Sequence, residues 1–178
     1  IQMKLRCEPV GRLIWGAGFC MNKTVDFYKY VGAGNDFVIF DSWNQKLKLT
    51  AQQIVSICDR RFGIGADGVM ILQPHHSADF QMNYYNADGS RGEMCGNGAR
   101  CLVSFAEFLG RAKSSGTFAA DDGIHQYDIL GDLVAVEVIV NGKLQDWDIP
   151  STGCAFIDTG VPHLIIPSAD TASENLDP

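Results

Sequence analysis

Apolar and polar residues alternate over 25–30, where Phe27, Tyr28 and Tyr30 add aromatic bulk, and this period of two predicts a strand. Gly32-Ala33-Gly34-Asn35-Asp36 then reads as a tight turn. Phe37-Val38-Ile39-Phe40-Asp41 is apolar on both faces and predicts a second, more buried strand. Thr50 can cap a helix running to about residue 61, with Ile54, Val55, Ile57 and Cys58 on its inner face. A glycine-rich loop, Phe62-Gly63-Ile64-Gly65-Ala66-Asp67-Gly68, leads to a strand over 69–72. Another strand over 80–85 ends at the turn Asn86-Ala87-Asp88-Gly89-Ser90.

The period changes after Cys95. Between Asn97 and Leu109 the strongly polar residues besides Asn97 are Arg100, Ser104 and Glu107, on one narrow stripe. Ala99, Leu102, Val103, Phe105, Ala106, Phe108 and Leu109 cover most of the remaining surface. A helix apolar nearly all round is a buried one, and Gly110 suits its C-terminal end. Short strands over 117–120, 124–130 and 133–140 follow. Asn141-Gly142 signals a hairpin into 143–149. Strands over 155–158 and 164–166 flank the turn Thr159-Gly160-Val161-Pro162-His163. Many short strands around one buried helix predict an α+β domain, a curled sheet or barrel wrapped around that helix.

The chain has 178 residues, 46% of them apolar, enough for a substantial core in one domain or two small lobes. A net charge of −7 without any run of like charges argues against nucleic acid or a polybasic membrane contact. No apolar stretch is long enough to span a bilayer. The six cysteines are irregularly spaced and include no CxxC pair. They predict reduced thiols in a cytoplasmic protein, with neither a disulfide framework nor a metal site. Residues 1–21 read as a poorly structured extension outside the core, because the basic residues and short apolar patch are broken by glycines and make a poor signal peptide. Residues 168–178 lack apolar periodicity and read as a surface loop.

Candidate chemistry centres on Cys95-Gly96-Asn97-Gly98-Ala99-Arg100. A thiol at the start of a helix faces unsatisfied backbone N–H groups and the positive end of the helix dipole. That setting favours the thiolate, the reactive form of cysteine, and the two glycines let backbone approach a ligand closely. Free cysteine is commonly small, buried and inert; Cys58 and Cys101, on apolar helix faces, fit that description, whereas Cys95 does not. Asn35, Asn86 and Asn97 lie in three glycine-bearing turns. Each could bond its own backbone, or the three could offer neutral amides to a polar ligand beside the thiol. Asp67 and Asp88 read as turn formers, and His75-His76 carries no assigned function.

Asn86-Ala87-Asp88-Gly89-Ser90, four residues, then Cys95-Gly96-Asn97-Gly98-Ala99-Arg100 resembles the signature of the diaminopimelate epimerase family. Gly32 to Phe37, Arg61 to Gly68 and Thr159 to His163 resemble that family's other loops, in the same order. The resemblance implies a two-lobed fold: an N-terminal lobe over 22–142, and over 143–178 the beginning of a second. It also implies cofactor-independent inversion at one α-carbon of diaminopimelate, on the route to lysine and peptidoglycan precursors. Two thiols would act on opposite faces of that carbon. Cys95 matches one of them and His163 a histidine close to both; Asn35, Asn86, Gly96 and Asn97 match substrate-binding positions. Gly68 and Val161 stand where many members carry a substrate-contacting glutamine and asparagine. No residue after Asn97 offers the second cysteine–glycine helix start, and Cys154 lacks that context, so the expectation is an N-terminal portion of an epimerase. The expected partner is a small-molecule substrate, with a homodimer left open. The competing readings are a proline racemase-like enzyme, an inactive diaminopimelate-binding remnant and a thiol redox protein. Asn97 stands where proline racemase-like proteins tend to carry histidine.

Overall fold

The computed structural model describes residues 11–15 and 23–139, together with the backbone of three short strands beyond them. Two compact units divide between Glu137 and Val138.

The first unit holds eight strands paired in chain order: β1 (Gly11–Trp15), β2 (Lys23–Gly32), β3 (Asn35–Asp41), β4 (Gly68–Gln73), β5 (Phe80–Asn86), β6 (Ser115–Ala120), β7 (Gly123–Leu130) and β8 (Leu133–Val136). Neighbours are antiparallel except β3 with β4 and β5 with β6. A parallel pair needs a crossover. The helices α1 (Ala51–Cys58) and α2 (Gly96–Phe108) supply the two crossovers.

They cover opposite faces, as the alternation along β3 requires. Phe37 and Ile39 pack with Leu102, Val103, Phe105 and Ala106 of α2. Val38 and Phe40 pack with Ile54, Ile57 and Cys58 of α1. The unbroken apolar run at 37–40 is therefore a strand buried from both sides. Helix α2 touches β2, β3, β4, β5 and also β8. Six inter-strand spacings put β8 about 29 Å from β2 in a flat sheet, three times the roughly 10 Å width of a helix. One helix reaches both only because the sheet curls around it, which is the expected architecture.

Both ends of α2 are pinned. At the C-terminus Gly110 takes φ +68, and the N–H groups of Gly110 and Arg111 donate to Glu107 O and Ala106 O, the Schellman arrangement. Arg111 then forms a two-pronged ion pair with Asp41 at 2.5 and 2.8 Å and lies 4.6 Å from the Trp43 ring centroid. At the N-terminus, a Cβ on Gly32 would sit 2.7 Å from Asn97 O and 2.8 Å from Cys101 Sγ. The turn after β2 can close on the helix only because residue 32 is glycine.

Several sequence expectations shift. Residues 1–21 read as a poorly structured extension, yet within them Gly11–Trp15 pairs antiparallel with β2, Gly11 opposite Phe27. Helix α1 stops at Cys58 instead of running to residue 61. Thr50 caps it as expected, and Gln53 completes a capping box, but the Asp59 carboxylate accepts the Arg61 and Phe62 N–H groups at 2.7 Å each. That local bonding offers the backbone an alternative to another helical turn. Strand β8 ends at Val136, short of residue 140.

The second unit contains β9 (Gln145–Asp146), β10 (Ala155–Asp158) and β11 (Pro162–Ile165), paired antiparallel in the order β11-β10-β9. Asn141-Gly142, Cys154 and Val161 lie outside the described residues. Among the described residues no helix is long and apolar enough to cross a membrane.

Candidate functional site

Residues 33 and 34 set the first piece of the site. Ala33 and Gly34 both take positive φ, +49 and +94, the two-residue turn whose twist matches antiparallel strands. Gly32 pairs with Asn35 across it, so Asn35 opens β3 at the end of the sheet where α2 begins. Cys95 is the N-cap of α2, extended at φ −114 and ψ 114. Its carbonyl accepts the Ala99 N–H at 2.7 Å, while its thiol makes no capping bond. No acidic residue occupies the first turn of the helix, so no side-chain charge there offsets the positive end of its dipole.

Asn97, in that first turn, crosses to the β2–β3 turn: its Nδ2 donates to Asn35 Oδ1 at 2.8 Å. Asn35 Nδ2 in turn donates to Asp67 Oδ2 at 3.2 Å, and Arg100 donates to Asn97 Oδ1. Asp67 lies beside Asp36 because β3 and β4 run parallel from Phe37 and Gly68 onward. Two carboxylates side by side repel unless cations intervene. Arg60 bonds both, at 2.8 Å to Asp36 and 2.6 Å to Asp67, and Lys29 reaches Asp36 at 2.9 Å. The Arg60 guanidinium, helped by Lys29, holds the Asp36 carboxyl well below the usual carboxylate range despite partial burial. A folded pKa depressed below the unfolded value of about 4 adds stability above that pH and loses it as pH falls toward the folded value. Stability is therefore expected to decline on acidification below about pH 4, and Asp36→Asn to flatten the decline in urea unfolding across that window. An unchanged slope in the variant would contradict this.

The cysteines sort by environment. Burial pushes the Cys58 thiol up to about 11 and that of Cys101 to about 12, making both inert core residues. Cys95 is the half-exposed cysteine of the three described free thiols.

Asn86 sits at the end of β5 opposite Gly68, and its Nδ2 donates to Ser90 Oγ at 3.0 Å within its own turn. Asp88 accepts from Ser90 N and Oγ in the same turn. Gly96 is different. A Cβ there would meet only Arg100 Nη1, at 3.9 Å, so packing within the protein does not demand glycine at 96. Gly68, in contrast, has no room for a side chain, since its Cβ would lie 2.5 Å from the Tyr84 ring and 2.7 Å from Tyr85 O. The Tyr84 phenol, pushed up to about 12 chiefly by burial and next by the proximity of Cys95, fills that space.

Asn35, Cys95, Gly96 and Asn97 thus converge at the start of α2, with Asn86 one strand across from Gly68. His163, expected in a turn, instead lies on β11 opposite Ile157; it belongs to the second unit, and its side chain is outside the described residues. Sequence alone gives Arg60 and Arg100 no role and Asp67 only that of a turn former. Asp67 in a glycine-rich loop has the pattern of a turn former, and only the parallel strand pairing reveals its partners. A cavity of about 280 Å³ on the α1 side of the sheet is lined by Leu47, Leu49, Gln73 and Asn83 among others, and none of the candidate residues borders it. Among the described residues no cluster of His, Cys, Asp and Glu could hold a metal ion.

A family model described as diaminopimelate epimerase matches residues 27–140. The chain belongs to the diaminopimelate epimerase family. The diaminopimelate epimerase of Flavobacterium psychrophilum is 44% identical over 138 residues, 76% of this chain and 52% of the relative. That of Chlorobaculum tepidum is 40% identical over 139 residues, 75% and 54% respectively. The chain spans about half the length of these curated relatives. A PhzF-family phenazine biosynthesis protein from Bacillus anthracis superposes with a TM-score of 0.59 at 19% identity, covering 82% of this chain and 56% of that one. A probable proline racemase from Agrobacterium radiobacter K84 gives 0.54 at 12%, covering 80% and 51%. At those identities the likeness is one of fold. The segment matched by the diaminopimelate epimerase family holds Asn35, Asn86, Cys95, Gly96 and Asn97 and leaves out His163.

Proposed function

We propose that this chain provides one half of the acid–base machinery of a cofactor-independent diaminopimelate epimerase, with Cys95 as its proton-transfer group. The observation that carries the reading is the junction itself. A half-exposed cysteine stands at the N-cap of a helix with no acid in its first turn, next to a glycine that packing does not require and an amide pair 2.8 Å apart. The α-carboxylate of an amino acid suits such a helix start. N–H groups there also stabilise the negative charge that grows on the carboxylate as the α-proton leaves. The Cys95 thiolate takes that proton and becomes a thiol, and the electron pair left on carbon delocalises into the carboxylate. Returning the proton from the same face restores the starting configuration; inversion needs a second donor on the opposite face. Cys95 on its own therefore accounts for exchange of the α-proton, and inversion requires a second thiol.

Gly96→Ala tests the reading. Alanine at a helical position costs the fold nothing and can add up to about 1 kcal/mol over glycine, so the thermal midpoint is expected to hold or rise. The added methyl would stand where substrate backbone approaches. Protection of Cys95 from iodoacetamide by diaminopimelate is expected to weaken at least about tenfold, equivalent to about 1.4 kcal/mol. Equal protection in the variant would remove Gly96 from the site. Protection by proline in place of diaminopimelate would favour the proline racemase-like alternative.

A further inference from the structure

Three hydrogen bonds at the site run in one direction. Arg100 donates to Asn97 Oδ1, Asn97 Nδ2 donates to Asn35 Oδ1, and Asn35 Nδ2 donates to Asp67 Oδ2. An asparagine amide can present either end to a neighbour, so an isolated Asn–Asn pair has two nearly equivalent orientations. Here the ends of the chain remove the choice. A guanidinium can only donate and a carboxylate can only accept, and bonds aligned head to tail polarise and strengthen one another. The accepting end is itself fixed. Asp67 Oδ2 also takes the Asp36 N–H at 3.1 Å, and Asp67 Oδ1 takes Arg60 at 2.6 Å. Arg60 in turn grips Asp36 with both prongs, at 3.1 and 2.8 Å.

We propose that Asp67, clamped by Arg60, is a positioning residue that sets which amide atoms Asn35 and Asn97 present to substrate. The proposal rests on the reading of this junction as a diaminopimelate site. Asp67 has its carboxylate taken up by Asn35, the Asp36 N–H and Arg60. It acts through Asn35, and its own carboxylate faces the Arg60 side of the loop. With Asp67→Asn, the terminal group can donate as well as accept. Only Arg100 then still enforces the direction, and the Asn35 amide, next to residue 67, loses its fixed acceptor.

Two measurements decide it, both on the chain as it stands. The first is iodoacetamide labelling of Cys95 with and without diaminopimelate. The parent is expected to be protected, Asp67→Asn to need at least tenfold more ligand for the same protection, and Asp132→Asn to match the parent. Asp132 is a suitable control because it is exposed in the turn between β7 and β8. A protected parent with an equally protected Asp67→Asn overturns the positioning role and leaves the site reading standing. An unprotected parent overturns both. The second measurement needs no variant at position 67. In the parent, one side-chain amide proton each of Asn35 and Asn97 is expected to exchange with solvent at least tenfold more slowly than those of the exposed Asn44. Exchange at the Asn44 rate would overturn the proposal even if Asp67→Asn failed to fold.

Discussion

Cys95→Ala is expected to abolish exchange of the diaminopimelate α-proton with deuterium when the purified chain is incubated with substrate in D2O and followed by proton NMR. A positioned general base contributes about 10²–10⁴-fold to a proton transfer, and the two other described cysteines cannot replace it. Cys101 sits nearly two turns further along α2, but its thiol is buried in the core and pushed up to about 12; Cys58 lies on the α1 side of the sheet. Cys101→Ala should therefore keep exchange while losing some stability. Exchange retained in Cys95→Ala would sink the assignment of the base. A chain that exchanges the proton without interconverting stereoisomers would match a single proton-transfer face. Rapid interconversion by this chain alone would require a second donor and would revise the one-thiol account.

The second large effect concerns stability. Phe105 is fully buried on α2, with its ring 4.5 Å from Tyr28 and 5.8 Å from Tyr30. It fills the space where the curled sheet closes on the helix. Phe105→Ala is expected to cost about 3–5 kcal/mol in urea unfolding, a large share of the roughly 5–15 kcal/mol that holds a domain of this size. Phe108, three residues on, is 46% exposed, and its truncation should cost far less. A loss below about 1 kcal/mol for Phe105→Ala would mean that the helix does not organise the core.

The local elements were legible because their signals are local. Period-two alternation located β2 and the both-faces-apolar run located β3. The narrow polar stripe identified α2 as buried, and the glycine-flanked thiol at its start could be singled out before any fold was known. Strand β1 was missed because its five residues, with Leu13, Ile14 and Trp15 consecutive, do not alternate, and its pairing to β2 is not written in its own residues. The end of α1 was placed too late because nothing in Asp59-Arg60-Arg61 forbids a further helical turn, and only the structure shows the Asp59 carboxylate competing for the backbone there. The amide relay was out of reach for a different reason. Asn97 and Asn35 are 62 residues apart, and Asp36 and Asp67 meet only because a crossover brings β3 and β4 into parallel register. Which loops gather at one end of a sheet depends on strand order, and periodicity does not encode strand order.

The clamping of α2 at both termini has a consequence for how the molecule fails on heating. Arg111 and Asp41 hold one end, the Gly32 contact holds the other, and the sheet surrounds the middle. Elements held this way open only with the whole domain, so their amides rank among the slowest to exchange with solvent. Cys95 stands at the first turn of that segment. Its alignment should survive fraying of the outer strands and disappear only when the domain melts, so that the thiol's ligand-dependent protection and the global unfolding transition fall on one temperature curve.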